Sequence, residues 1–267
     1  MRLVRLGATL YVLLLAFPSW GKQSSQSAST PQPASDPQAV AVFQVAISAM
    51  GGNVPTDSTA TGTVTITAGG ATDQGTIRFR TRGTGQTLEE VQTSSGTRTN
   101  IFSNDEASET FAGTATPLPM QRMVTSRSVY FPLPYLAALL GNPDEALTYS
   151  GTENINGTVA LHVQATNSYS SNTTIQFLTA FTTTDIWFDA KTGLPLQVAY
   201  VRRDTGLSPK IRMEVQFSNY KSTSGFFYPA TIQVLMNGTQ WMTISLQTFQ
   251  TNLGLTDADF PVVEYQP

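Results

Sequence analysis

The sequence contains no cysteine, which excludes disulfide bonds, thiolate metal sites and lipid attachment to an N-terminal cysteine. Charged residues make up only 12 per cent of the 267 residues and the net charge is −3, so the composition indicates no basic surface for nucleic acid. Histidine occurs once, at His162, which excludes a two-histidine metal site and makes a Ser/His/Asp site strained. No glycine-rich phosphate loop is present. We therefore expect no cofactor, no metal and no catalytic residue.

The N-terminus has the pattern of an export signal. Arg2 and Arg5 precede an uncharged stretch, residues 6–17, and small residues up to Gly21 fit a cleavage site. The apolar run is shorter than the roughly 20 residues that a membrane-spanning helix needs. We therefore expect residues 1–21 to be a cleaved signal peptide, with an uncleaved anchor as the alternative, and the protein to lie in the periplasm or outside the cell.

Residues 22–35 are polar and rich in Ser and Pro, which predicts a disordered linker, and residues 36–267 are expected to form a single domain. The domain opens with a predicted helix from Asp36 to Met50. Asp36 can cap it, Pro37 suits its first turn, and the pair Gly51-Gly52 can end it. Apolar residues at steps of three and four give this helix one apolar stripe: Val40, Phe43, Ile47 and Met50.

Most of the remaining domain alternates polar and apolar residues with a period of two, which indicates β-strands. The pattern is cleanest over residues 210–217, where every second side chain is apolar and those between are charged or polar. We count about eleven such strands and two or three helices. The predicted fold class is therefore mainly β (α+β), with a large curved antiparallel sheet that has one apolar face.

The hairpin at Asn237-Gly238 tests the register of this sheet. A two-residue loop would mix the two faces of the flanking strands. A three-residue loop with Gly238 in a left-handed bulge pairs Ile232 with Met242 and keeps the apolar side chains together. The pattern therefore predicts the three-residue loop.

Arginines line one face of the strand predicted over residues 76–82, and residues 86–93 return with Glu89 and Glu90. One interpretation is an anion site on the arginine face. The other, which we favour, is a solvated face on which both glutamates pair with the arginines.

The segment from Met120 to Gly141 is the most apolar part of the domain, with a helix expected to begin at Pro134 and to end at Gly141. Because it is apolar nearly all round, it is not a surface helix. Two interpretations remain open: the segment plugs the core, or it forms a lid over an apolar cavity, where methionine would serve as a flexible gap-filler.

Several segments, in order along most of the domain, resemble the superfamily of periplasmic lipoprotein carriers typified by LolA, with its relatives LolB, LppX and RseB. They are the helix ending in Gly51-Gly52, the turn Phe188-Asp-Ala-Lys-Thr-Gly-Leu-Pro195, the strand Tyr228-Pro-Ala-Thr-Ile-Gln-Val234, Asn237-Gly238, and Asp257-Ala-Asp-Phe-Pro261. The resemblance implies an unclosed antiparallel barrel wrapped round helices, with a hydrophobic cavity for acyl chains and no catalysis.

The expected function is that of an exported carrier, not an enzyme, which binds a lipid or the acyl chains of a lipoprotein in an apolar cavity between sheet and helices. Its partners would be that cargo and membrane-associated donor or acceptor proteins, and we expect a monomer. The alternative is a periplasmic interaction or sensor module on the same fold, and a hydrolase would need converging carboxylates in a cleft. The residues expected to line the cavity are Phe43, Ile47, Met120, Met123, Tyr130, Phe131, Tyr135, Leu136, Leu139, Leu140, Met213 and Phe217.

Overall fold

A computed structural model describes residues 34–104, 106–125, 129–203 and 209–263. The expected signal peptide lies outside the described residues, as does all of the expected linker except Ala34 and Ser35.

The first helix, α1, spans Pro37–Ala49 and confirms the predicted helix. The Asp36 side chain accepts a hydrogen bond from the backbone N–H of Gln38 at 2.8 Å, and Pro37 occupies the first turn, where it removes no helical hydrogen bond. The chain leaves the helix through Gly51, whose φ of 120° and close approach to the Gly225 carbonyl exclude a side chain. The buried face of α1 is formed by Ala39, Val42, Phe43 and Ala46, and Met50 is buried beyond its end.

The apolar central segment forms two short helices instead of one. They are α2 over Met120–Thr125 and α3 over Pro132–Gly141. Helix α3 begins two residues before the expected Pro134, because both prolines fit a first turn that needs no backbone N–H. Two 3-10 helices cover Thr173–Phe181 and Asp257–Asp259.

The described residues form one antiparallel sheet of thirteen strands, which is not closed. The sequence predicted about eleven strands, and the short strand β6, which ends in Pro117, was missed because proline is tolerated only at a sheet edge. The strands are β1 (Asp57–Ala68), β2 (Ala71–Arg82), β3 (Gln86–Thr93), β4 (Gly96–Ser103), β5 (Glu106–Phe111), β6 (Thr114–Pro117), β7 (Glu145–Ile155), β8 (Thr158–Asn167), β9 (Thr184–Asp189), β10 (Pro195–Arg202), β11 (Ile211–Thr223), β12 (Phe226–Met236) and β13 (Thr239–Thr251).

The strand order is β6-β5-β4-β3-β2-β1-β13-β12-β11-β10-β9-β8-β7. The first and last strands therefore pair at the centre of the sheet, and β6 and β7, which follow each other in the chain, lie at opposite edges. The connection between these two edges carries α2 and α3. The buried apolar side chains of α1, α3 and the inner face of the sheet form one continuous core.

The register of the β12–β13 hairpin differs from the prediction. Its loop has only two residues, Asn237 and Gly238, both with positive φ, and Met236 pairs directly with Thr239. A bulge in β13 leaves Trp241 unpaired, so that Val234 faces Met242. Beyond this bulge, apolar side chains of the two strands again lie opposite each other. The predicted three-residue loop was wrong because the extra residue lies in the strand.

On the outer face of β2, the predicted pairing of arginines with Glu89 and Glu90 is confirmed only for Glu90. Arg78 pairs with Glu90 at 2.9 Å, as expected for a solvated face. Arg80 and Arg82 pair instead with two carboxylates of the last 3-10 helix, those of Asp259 and Asp257. Glu89 does not contribute, because it lies on the opposite, inner face of the sheet beside Phe79.

Asp57 fixes the C-terminal segment to the start of β1. Its carboxylate is buried and accepts backbone hydrogen bonds from Leu253, Gly254 and Leu255 at 2.7, 2.9 and 3.2 Å. A carboxylate with three such donors is replaced poorly by a carboxamide, because the amide N–H₂ group would face a backbone N–H.

We expect Asp57→Asn to lower the free energy of unfolding by about 2 kcal/mol, measured by urea denaturation. Asp189→Asn is the matched control, because Oδ1 alone accepts both backbone hydrogen bonds in its turn, from Lys191 and Thr192, and asparagine keeps that oxygen. Equal effects of the two substitutions would contradict the role assigned to Asp57.

Candidate functional site

Two cavities lie on the inner face of the sheet, with volumes of about 580 Å³ and 680 Å³. We call them the first and the second cavity. Helix α2 contributes to both: Arg122 lines the first cavity, whereas Met120 and Met123 line the second. The adjacent residues Tyr130 and Phe131 are divided in the same way, with Tyr130 in the first cavity and Phe131 in the second.

The second cavity has an apolar lining from the helical segments. Leu139 of α3 and Leu178 of the longer 3-10 helix face it together with the two methionines and Val124 of α2. The wall also contains polar side chains, among them Asn142, Asn167 and the carboxylate of Glu106, and the loop between β2 and β3. A lining of this kind suits an apolar chain whose end reaches polar groups.

The twelve residues expected to line the cavity fall into three groups. The second cavity receives Met120, Met123, Phe131, Tyr135 and Leu139. The first cavity receives Tyr130 and Met213. The other five belong to the core or pack against it and line neither cavity: Phe43, Ile47, Leu136, Leu140 and Phe217.

These five residues were placed in the cavity because the sequence separates apolar from polar faces but does not separate a filled interior from an empty one. Leu136 is fully buried, and Phe43 packs edge-on against Phe188 with ring centroids 5.4 Å apart. Such side chains have the hydrophobicity of a cavity lining, yet they are surrounded by protein.

The first cavity has an apolar wall, as expected, and also a charged wall that the sequence did not predict. Val91, Met213 and Met242 belong to the apolar wall. The charged side chains that line it are Asp73, Glu89, Arg98, Glu109, Arg122 and Arg202, and the polar ones include Asn100, Tyr130 and Tyr200.

The charged wall is organised around a row across three strands. Glu89 of β3 lies directly opposite Asn100 of β4, and Asn100 lies directly opposite Glu109 of β5. Glu109 accepts from Arg98 at 3.3 Å and from Arg122 at 2.9 Å, so its carboxylate is matched by two guanidinium groups. Side chains directly opposite each other on one face are close enough to interact, so the row forms one polar unit.

Glu89 has a strongly altered acidity. Burial raises the pKa of its carboxyl from 4.5 to about 7, while a hydrogen bond from Asn100 and the charge of Arg98 act to lower that pKa. Burial also raises the pKa of the Tyr130 and Tyr200 hydroxyls, so both tyrosines stay neutral near pH 7. Perturbed acidity inside a cavity is a mark of a functional site.

The alternation of side chains along β3 shows on which face of the sheet Glu89 lies. Consecutive strand residues point to opposite faces, so Glu89 and Glu90 cannot both face the arginines of β2. Glu89 has the same parity as Val91, which is buried on the inner face. The alternation in the sequence was therefore enough to predict that Glu89 points inward. It was not enough to predict the neighbours of Glu89, because Asn100 and Glu109 lie on strands whose pairing the alternation does not determine.

His162 lies outside both cavities and is not isolated from acidic groups. Its Nδ1 is 2.8 Å from Glu153 and its Nε2 is 3.1 Å from Asp185, and its ring stacks on Trp187 at 4.5 Å. The Trp187 indole N–H also donates to Glu153, which makes this a closed polar cluster. Across the part of the chain that the structure describes, no group of three or more His, Cys, Asp or Glu side chains is arranged to hold a metal ion.

Sequence comparison finds no matching protein-family model and no matching curated protein. The architecture does match solved structures. A domain from Vibrio parahaemolyticus named for outer membrane lipoprotein sorting shares 12% identity at a TM-score of 0.57, over 83% of this chain and 95% of that domain. A LolA superfamily protein from Nitrosomonas europaea shares 12% identity at a TM-score of 0.57, over 84% of this chain and 97% of its own.

The protein has the LolA-like fold. A DUF1329 family protein from Desulfovibrio piger has the same architecture, with 13% identity and a TM-score of 0.55 over 83% of this chain and 96% of its own. The expected unclosed barrel is thereby confirmed, and at these identities the likeness concerns the fold alone. No helix within the described ranges has the length and apolar character to cross a bilayer.

The pKa of Glu89 makes a prediction about stability. Its carboxyl binds a proton more tightly in the folded state than the ordinary value of 4.5 allows, so its contribution is most favourable below about pH 4.5 and is lost as the pH rises to about 7. Glu89→Gln keeps the neutral form at every pH. We expect it to raise the free energy of unfolding by about 2 kcal/mol at pH 8 and to change it little at pH 5.

The measurement is urea unfolding at both pH values. Glu90→Gln is the matched control, since the neighbouring carboxylate lies on the outer face and pairs with Arg78. A gain at pH 8 in the Glu90 variant, or none in the Glu89 variant, would show that the buried carboxyl is not the source.

Proposed function

We propose that the protein binds a lipid, or the acyl chains of a lipidated protein, on the inner face of its sheet. The observation that carries this proposal is the pair of cavities, about 580 Å³ and 680 Å³, between the sheet and the segment from α2 to α3. These volumes lie within the range of small-molecule sites, roughly 300–1,000 Å³. The lipoprotein-sorting name of the Vibrio parahaemolyticus domain supports the same reading.

In this proposal the second cavity takes an acyl chain. Each methylene removed from water contributes roughly 0.8 kcal/mol, so a chain needs no specific polar partner. Met120 and Met123 lie on α2, a helix of six residues, and their flexible side chains can adapt to chains of different length. Of the two interpretations of the central segment, plug and lid, this assigns the plug to α3 and the lid to α2.

The first cavity would take an uncharged part of the same ligand or of a second amphiphile. Its apolar wall faces the row of Glu89, Asn100 and Glu109, so that a ligand bound there meets both surfaces. The proposal is of a monomeric binding protein and not of an enzyme. From its N-terminal sequence it would act in the periplasm or outside the cell.

Exposed apolar side chains favour a partner surface near the second cavity. Met120, which lines that cavity, is 46% exposed, and Phe177 of the longer 3-10 helix, whose Leu178 lines it, is 62% exposed. A membrane-associated donor or acceptor protein could dock there to exchange cargo. If no ligand is carried, the same surface fits the alternative function, an interaction or sensor module.

The proposal is tested by native mass spectrometry with lipid extraction on the protein purified from the periplasm without detergent. We expect a lipid or acylated protein to co-purify. Met123→Glu places a charge in the second cavity without altering the core, and we expect it to lose the ligand. Val45→Glu, at a position of α1 that is 58% exposed, should keep it.

A ligand-free mass, together with no uptake of added fatty acid, would contradict lipid binding and favour the interaction module. Retention of ligand by the Met123 variant would instead place the site outside the second cavity.

A further inference from the structure

We propose that Glu89 makes ligand binding in the first cavity proton-linked, so that the cavity accepts the uncharged part of an amphiphile together with a proton and releases it when Glu89 ionises. This inference rests on the proposed lipid binding and adds its regulation. It assigns to Glu89 the role of the residue that decides under which conditions the first cavity is filled.

Hydrogen-bond chemistry in the row favours the protonated form. Asn100 donates to the Glu89 carboxyl, but its own Oδ1 is buried and has no hydrogen-bond donor among the described residues. An ionised carboxylate only accepts, so it leaves this oxygen unsatisfied, whereas a carboxylic acid has one O–H to donate. With Glu89 protonated, acid and amide form two reciprocal hydrogen bonds, and both buried groups are satisfied.

The charged groups around Glu89 are arranged so that Glu89 is the group whose protonation changes. Arg98 and Arg122 both pair with Glu109, whose negative charge acts to raise the pKa of Glu89. Tyr130 and Tyr200 face it from the other side as neutral hydroxyls. The remaining charged groups of the lining are Arg202, on β10, and Asp73, whose carboxylate accepts hydrogen bonds from Ser94 and Ser95.

A ligand in the cavity increases the cost of ionisation. Without a ligand, solvent can reach the carboxylate through the cavity. A ligand replaces that solvent with apolar surface, and a carboxylate that loses its hydration without gaining donors is strongly destabilised. Ligand binding therefore raises the proton affinity of Glu89, and by linkage a rise in pH weakens ligand binding.

The same linkage determines how the affinity for the ligand changes with pH. Below about pH 7 the carboxyl is already protonated, and binding requires no change in its charge. Above that pH, each ligand bound must take up a proton, so affinity falls with increasing pH. An uncharged ligand isolates this effect, because its own charge does not vary.

The test measures the affinity of monomyristoylglycerol, an uncharged amphiphile, by isothermal titration calorimetry. The protein carries Met123→Lys, whose charged side chain excludes an apolar chain from the second cavity at both pH values, so that uptake reports on the first cavity. We expect affinity about tenfold weaker at pH 8.5 than at pH 5.5. Titrations near pH 7 in two buffers of different ionisation enthalpy should also show proton uptake on binding.

Three variants test whether Glu89 is the source of the pH dependence. Glu89→Gln is neutral at every pH and should bind at pH 8.5 as tightly as the parent does at pH 5.5, without proton uptake. Glu90→Gln, on the outer face, should keep the parent's pH dependence. Glu89→Met, also neutral, provides a second substitution should the carboxamide disturb the fold, which circular dichroism monitors.

Equal parent affinity at the two pH values would overturn the proton link while leaving lipid binding intact, and so would a persistent loss of affinity at pH 8.5 in both Glu89 variants. No binding of monomyristoylglycerol at either pH would contradict the proposed function in the first cavity, and the proton link with it.

Discussion

The pairing of β1 with β13 is the contact on which the rest of the structure depends. It joins the first and last strands of the chain, with Ala60 opposite Phe249 and Val64 opposite Ile244. Without it the sheet would separate into two meanders, each with an exposed apolar face that neither could cover alone. Because the two strands are far apart in sequence, their pairing bears a large loop-closure cost that the buried core must offset.

The same arrangement produces the open side of the barrel and thereby the cavities. Since the chain ends pair at the centre, the edges β6 and β7 are left apart, and the chain between them must cross from one edge to the other. That connection is apolar and carries the two short helices. Helix α3 fills the interior with Leu136, while α2 and residues 130–131 contribute side chains to two separate spaces. The interior is therefore filled in one part and empty in another.

The polar row of the first cavity shows how the inner face of the sheet, which is otherwise largely apolar, can hold a titratable group. A carboxyl on the inner face of a sheet is costly, and here the cost is limited by the amide of Asn100 and by keeping the proton. Glu109, on β5, is paired instead with the two arginines Arg98 and Arg122. The two carboxyls of the row thus differ in their partners, which are an amide for Glu89 and two guanidinium groups for Glu109.

The sequence by itself determined the elements that depend on local pattern: α1 with its cap and its glycine end, the alternating strands, the mainly β class and the apolar character of the segment after Met120. Only the tertiary structure decided the register of the strands and whether each inward-facing side chain packs against protein or faces a cavity. The extra residue of the β12–β13 hairpin is Trp241 in the strand and not a loop residue, and no local sequence signal marks that position. Likewise, Leu136 and Leu139 look alike in the sequence, yet one is enclosed by core and the other faces a cavity. Hydrophobic periodicity specifies which face is buried, but only the three-dimensional packing of distant segments decides whether protein or empty space lies against it.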